Sequence, residues 1–463
     1  MKKYILIILC CLTSFPLWSY NVNMIVEHYS VDQGLPNNTV NCTLKDRDGF
    51  IWFGTWYGLC CFDGVKFKTF NKQEHDSDVP PRKIQRIVED KNGYIWVKTI
   101  DRKFYVFNKV TECFHAVYDD MKNYSENIQV IKLQNTAEGD VLLLTKDKNL
   151  LLAGVDEKGQ VTIKILFDSR NEINKHDYTL KHHVLCETEE YISWIGTDYK
   201  VSAVHKGAEL ASRPADFITS KINSGDKDSF TSFFEDGRKV WVGDRAGIFY
   251  SIDVRTGLVN RYVLSEIKGA ISNLLVTPAG YVYLSVAGQG TYEYDLAERR
   301  LQKINTEMND AMVTHAFIDQ YDKIWFHENE KALIYYDPLN HTAKRFPFTM
   351  FGKITTLYSE DAGERGLFFL SPAGEAWLFD REHAEMVYIN KLKQLSNDRT
   401  NQQFYHLMLD NDGVLWLSSA DEGVYCMNFP KKQFNLLSLS PQSAGQENYT
   451  IGVRALFQSK SGD

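Results

Sequence analysis

The stretch DRDGFIWFGTWYGLCCFDG, residues 46–64, is written again in worn form along the chain, as EDKNGYIWVKT from Glu89 and DNDGVLWLSS from Asp410. Aligned on its tryptophan, the equivalent positions are Trp52, Trp96, Leu142, Trp194, Trp241, Tyr283, Trp325, Phe368 and Trp416. Their spacings are 44, 46, 52, 47, 42, 42, 43 and 48 residues. A period of about 45 residues, filled with short alternating segments, constrains the chain to units of a few strands that cannot bury their own faces and must stack.

Each part of the unit has a physical task. VNCTLKD alternates as a strand with two unlike faces does. In DRDG, aspartate side chains bond nearby backbone N–H groups, and Gly49 supplies the positive φ of a tight turn. FIWFGT is a second strand whose indole fills the space between neighbouring units. Its burial removes about 150–250 Å² from water and contributes up to roughly 4–6 kcal/mol. GLCCFDG gives a third strand, and VKFKTF an outer fourth strand in which lysines discourage edge pairing. The copies at Leu142, Tyr283 and Phe368 are degenerate but keep their surroundings, as in GYVYLS and GLFFLSPAG.

These units read as all-β, four-stranded propeller blades. VEHYSVDQGLPNNTV, from Val26, matches the end of one repeat running into the next, as FKTFNKQEHDSDVPPRKI does from Phe67. The chain is therefore expected to begin with an outer strand belonging to a blade completed much later. With seven blades, that blade is the Trp325 unit ending near Asp337. The expected organisation is a signal segment at 1–20, a seven-bladed β-propeller at 21–340, and an incomplete second propeller at 341–463. TAKRFPFTMFGKITTLY would open the second ring, and the chain would stop inside a blade, as a fragment does.

The chain has 463 residues, 44% hydrophobic and 24% charged, with a formal net charge of −8. Its basic clusters are as short as Lys431-Lys432, so contact with nucleic acid has little electrostatic support. MKKYILIILCCLTSFPLWSY has the layout of a secretory signal, which predicts export and a mature chain starting near Tyr20. Beyond it lie Cys42, Cys60, Cys61, Cys113, Cys186 and Cys426, with no CxxC pair for a metal, and these read mainly as small buried hydrophobes. No later apolar stretch of about 20 residues occurs.

The pattern D-x-x-G-x-I-W-F-G-T-x-x-G-L-x-x-F-D-G resembles the two-component regulator propeller repeat. HYSVDQGLPNNTV after a signal segment resembles the start of the periplasmic sensor region of hybrid two-component systems from glycan-degrading gut bacteria. The resemblance implies two seven-bladed propellers, a small immunoglobulin-like domain, a membrane helix, a histidine kinase, a receiver and a DNA-binding output. Only the beginning of that plan is written here, since no phosphoacceptor region, nucleotide-binding glycine box or helix-turn-helix is readable. It further implies a sensor of oligosaccharides released from polysaccharides, without catalytic residues or cofactor of its own. The full-length protein would be a homodimer in the inner membrane, reached through a downstream helix.

The turns just after GT fall at equivalent places in successive blades and should gather on one face. They read Trp56-Tyr57, Ile100-Asp101-Arg102, Asp198-Tyr199, Asp244-Arg245, Gln289 and Asp421-Glu422. Aromatic faces stack on sugar rings, and Arg, Asp and Gln orient hydroxyl or acidic groups, which makes these the expected ligand-binding residues. The DRDG and DNDG turns fail as calcium loops, because Phe50 and Val414 fall at the fifth position of an EF-hand register. His182-His183 lacks a third ligand in motif spacing. A propeller enzyme, a lyase or glycosidase acting on polysaccharide, is the competing class, although Ile51, Ile95 or Leu415 precedes tryptophan where a sialidase Asp-box has threonine. A protein-interaction platform is the third.

Overall fold

A computed structural model describes residues 24–70, 81–121, 129–147, 149–168, 180–196, 201–207, 215–216, 230–304, 313–328, 331–351, 358–361, 366–371, 374–392 and 404–428. The expected signal segment and the pair His182-His183, whose side chains carry no description, lie outside this account. Among the described residues no helix is long and apolar enough to cross a membrane.

The described strands form nine four-stranded antiparallel sheets, one for each copy of the repeat. The first blade takes Val40–Lys45, Ile51–Thr55, Gly58–Phe62 and Phe67–Phe70 in that order, and the second takes Ile84–Glu89, Ile95–Thr99, Phe104–Asn108 and Cys113–Ala116. The first strands of several successive blades lie side by side, which makes them the inner strands around a central axis.

The acidic turn and the tryptophan are one hydrogen-bonded device. Asp46 Oδ1 accepts from the backbone of Asp48 and Phe50 at 3.0 and 2.9 Å, while Oδ2 accepts from the Trp52 indole at 2.7 Å. Asp90 does the same for Trp96, Asp319 for Trp325 and Asp410 for Trp416. One carboxylate thus satisfies the turn and the N–H of a buried ring, which would otherwise carry a desolvation cost of about 1–3 kcal/mol. Where the ring is Leu142 or Tyr283, Thr136 or Thr277 takes the aspartate's place and caps the turn alone.

Nine apolar clusters separate the nine blades. An open stack of nine would have one seam fewer, so the ninth seam closes a ring. It places Trp416 and Val424 against Phe53, Val40 and Leu35 of the first blade. Ile25–Tyr29 completes the ninth blade by pairing with Val424–Asn428, from Ile25 opposite Asn428 to Tyr29 opposite Val424. Lys45 reaches Asp410 at 3.4 Å across this seam. Interior seams use the same chemistry: Lys109 meets Asp46 at 3.0 Å and Glu89 at 2.8 Å, and Arg381 meets Asp319 at 2.5 Å and Asp361 at 2.7 Å.

The expected device of closure by an early outer strand is present, but its partner differs. The Trp325 blade needs no borrowed strand, because Thr342–Pro347 pairs with its third strand, Ala332–Asp337. The division expected near residue 340 is unmarked: Phe346, Phe348 and Phe351 pack with Trp325 on one side and Phe369 and Phe379 on the other. Repeat matching identifies an outer strand but not the blade it joins; the unpaired edge at Val424–Asn428 decides that. Met1–Phe429 forms one compact unit, and Pro430–Asp463 lies outside the described residues.

Candidate functional site at the channel mouth

Seven inner strands slip register after their first pair, leaving one residue bulged. The pair that follows is Cys42 with Gly54, Arg86 with Lys98, Lys132 with Leu144, Ser232 with Gly243, Asn273 with Ser285, His315 with His327, and His406 with Ser418. A bulge turns side chains out of the regular alternation, and such irregularities concentrate at barrel rims and binding sites. Here it brings a polar side chain to the start of six of these inner strands, where apolar packing prevails further along, and the buried Cys42 to the first.

The row is also where blades are joined. Asn41 Nδ2 donates to the Ile84 carbonyl at 2.6 Å, Thr231 Oγ1 to Ile271 at 2.7 Å and Asn273 Nδ2 to Val313 at 2.8 Å. Glycine is needed where neighbouring strands come closest: a Cβ at Gly54 would sit 2.4 Å from Cys42 Sγ and 2.6 Å from Ile84 Cγ2, and one at Gly243 2.4 Å from Ser232 Oγ. In the second blade the same motif position is Lys98, 7% exposed, whose Nζ donates to the Ile131 carbonyl of the third blade at 2.7 Å.

Two members of the row, Ser232 Oγ and His406 Nδ1, are buried with no hydrogen-bond partner among the described residues. Burial lowers the pKa of His406 and of His327, helped by Arg86 and by His315 respectively. Ser232, Asn273 and His315 line a cavity of about 770 Å³ together with Phe233, Leu274 and Phe317. Its size and its mixture of apolar wall and few polar groups fit a small-molecule site.

The turns expected to bind ligand share this face with the inner-strand starts, to which several are bonded: Lys83 N to Trp56 O at 3.0 Å and Val130 N to Arg102 O at 3.3 Å. Their roles divide. Trp56 and Tyr57 are 42% and 62% exposed, with Lys83 Nζ 5.2 Å from the Trp56 ring centre. Arg102 donates to Gln129 Oε1 at 3.3 Å, and Asp101 accepts from the Thr99 hydroxyl. Asp198 and Tyr199 lie outside the described residues. Asp244 is buried and holds its own turn, accepting from Ala246 and Ile248 at 2.9 and 2.8 Å, while Arg245 is exposed. Gln289 clamps the preceding connection through Lys268 N at 2.6 Å and Glu266 O at 3.1 Å. Glu422 accepts from Tyr425 Oη at 2.6 Å.

Asp46, Asp48 and Glu89 converge closely enough for a cation, but each bonds the Lys109 ammonium, which already stands between them. The described cysteines Cys42, Cys60, Cys61, Cys113 and Cys426 are free thiols; Cys42 and Cys60 are buried, and burial pushes both up to about 12.

Residues 34–57 match the two component regulator propeller repeat, spanning the first inner strand, the acidic turn and the tryptophan strand. No curated protein sequence matches the chain. The chain is similar in fold to a structure described as the extracellular domain of a one component system of B. thetaiotaomicron, at 13% identity and TM-score 0.37, covering 85% of this chain and 65% of that one. It is also similar to one described as the extracellular domain of a hybrid two component system of the same organism, at 14% and 0.34, covering 86% and 58%. The Dos1 propeller aligns at 11% and 0.46, covering 87% and 93%. The chain thus spans less than two thirds of the length of the first two.

Proposed function

We propose that this chain is the exported, non-catalytic ligand-sensing region of a hybrid two-component sensor, and that it binds oligosaccharide at the channel mouth. The observation that carries this reading is the row of polar side chains Arg86, Lys132, Ser232, Asn273, His315 and His406 at the bulged starts of six inner strands, beside a cavity of about 770 Å³. The propeller repeat matched at residues 34–57 supports the two-component assignment. Trp56 and Tyr57 offer exposed rings beside the row, and Asn273, Ser232 and His315 offer donors and acceptors for hydroxyl groups. In the periplasm, ligand would shift the arrangement of two protomers, and a kinase beyond the membrane would read the shift. A ligand moves such an equilibrium only by its differential affinity for the two arrangements.

Isothermal titration calorimetry against a panel of plant and host oligosaccharides, with product analysis of every mixture, tests this. Saturable binding without cleavage is expected. Cleavage would make the protein an enzyme acting on polysaccharide, and silence across the panel together with capture of a protein partner would make it an interaction platform.

A further inference from the structure

In the second blade the pair that follows the bulge is charged on both strands. Where the motif has glycine this blade has Lys98, directly opposite Arg86 on the inner strand, so two cations face each other across the ladder. Like charges in that position are destabilising, and burial of an ammonium without a counter-charge adds a desolvation penalty. Neither side chain has an ion-pair partner among the described residues, and the Lys98 ammonium donates to the neutral Ile131 carbonyl. Arg86 is exposed at the channel and lies close enough to act electrostatically on Lys98, Cys42 and His406. Arg102, which also acts on Lys98, is bonded to the neutral Gln129 side chain. The inner strand of the third blade places Lys132 at the position equivalent to Arg86.

We propose that Arg86 and Lys98, with Arg102 at the rim, form an anion subsite that holds the carboxylate or sulfate group of an acidic saccharide at the channel mouth. This rests on the ligand-sensing reading and narrows its substrate class. The arrangement is asymmetric: the cations stand in the second and third blades, whereas the fifth to seventh blades present Ser232, Asn273 and His315 beside aromatic rings. A ligand charged at one end and neutral along its length matches both sectors. Burial, then Arg102 and Arg86, lower the Lys98 amine to about 8, the mark of a cation short of negative charge that a bound anion would relieve.

The test uses the whole chain with three probes: a uronate disaccharide, a sulfated disaccharide and a neutral disaccharide of matched size, with inorganic sulfate as a fourth arm. Calorimetry should show the acidic sugars binding at least roughly tenfold more tightly than the neutral one, with R86Q and K98M each removing that advantage. The two acidic probes decide between carboxylate and sulfate. Sulfate should raise the melting temperature of the wild type and not of R86Q, a readout independent of any sugar; R86Q, an exposed substitution, should keep the fold. Equal affinity for acidic and neutral sugars overturns the subsite while leaving the sensor reading intact. Acidic sugars bound equally well by both variants place the anion elsewhere and overturn it too. Sulfate stabilisation with no sugar bound keeps the anion subsite and removes the saccharide, and failure of all four probes removes both.

Discussion

The first and second blades share strand order, acidic turn and tryptophan, yet they treat one position oppositely. Gly54 leaves space that Cys42 and Ile84 fill, while Lys98 sends a charged chain through the same opening to the third blade. The first is a close-packed joint and the second has exchanged packing for an uncompensated charge. The position also accepts Leu144, Ser285, His327 and Ser418, so what sets the second blade apart is that, of the seven bulged blades, it alone puts a lysine there opposite an arginine.

Making the first blade imitate the second should have the largest effect. Gly54→Lys forces a side chain within 2.4 Å of Cys42 Sγ and 2.6 Å of Ile84 Cγ2, and should destabilise the fold by about 3 kcal/mol or more in urea titration. A neutral result would mean that this joint is as tolerant as that of the second blade. Next, Asp46→Ala removes the acceptor of the Trp52 indole and a partner of Lys109. It should cost about 2–3 kcal/mol, and more than Asp90→Ala, whose Asp90 side chain serves its own turn and Trp96 without a lysine.

Lys98→Met should raise the melting temperature, because it removes the charge but keeps the volume, a change worth about 1 kcal/mol or more at buried ionic sites. Lys98 has a folded-state value near 8 against 10.5 for a free lysine, lowered by burial and by Arg102 and Arg86. The unfolded chain therefore holds more protons between these values, and wild-type stability should gain from this group as pH rises from about 8 towards 10.5. The methionine variant should lose that gain, as thermal melts across this range would show. The smallest effect is expected from Arg86→Gln: stability within about 0.5 kcal/mol of wild type, with the Lys98 amine titrating at higher pH by NMR. An unchanged titration would separate the two cations and weaken the comparison.

Sequence periodicity was sufficient to find all nine blades, including those at Leu142, Tyr283 and Phe368, because each keeps a second strand and its turns. It also exposed the early outer strand. It did not reveal which blade that strand completes, since one outer strand is chemically much like another and pairing depends on a distant free edge. Of the expected ligand residues, Trp56 and Tyr57 are exposed, but Asp244 fastens the backbone of its own turn and Gln289 that of the connection at Glu266 and Lys268. An acidic or amide side chain next to a turn serves local backbone donors first. The channel row went unseen because bulges leave little trace in a strand's alternation. One signal was available: lysine in IWVKT where IWFGT has glycine.

The pairing of Ile25–Tyr29 with Val424–Asn428 also sets an order of events. The strand Ile25–Tyr29 has no sheet to join until almost 400 further residues have followed. Blades built from consecutive residues can form as they emerge, whereas the ninth waits for both ends, a contact of the longest range and slowest expected closure. Until then, the backbone edge of Val424–Asn428 and the apolar face of Trp416 stand open to other chains. The moment of greatest exposure to aggregation is thus the pairing of Ile25–Tyr29 with Val424–Asn428, and that early strand governs how long the exposure lasts.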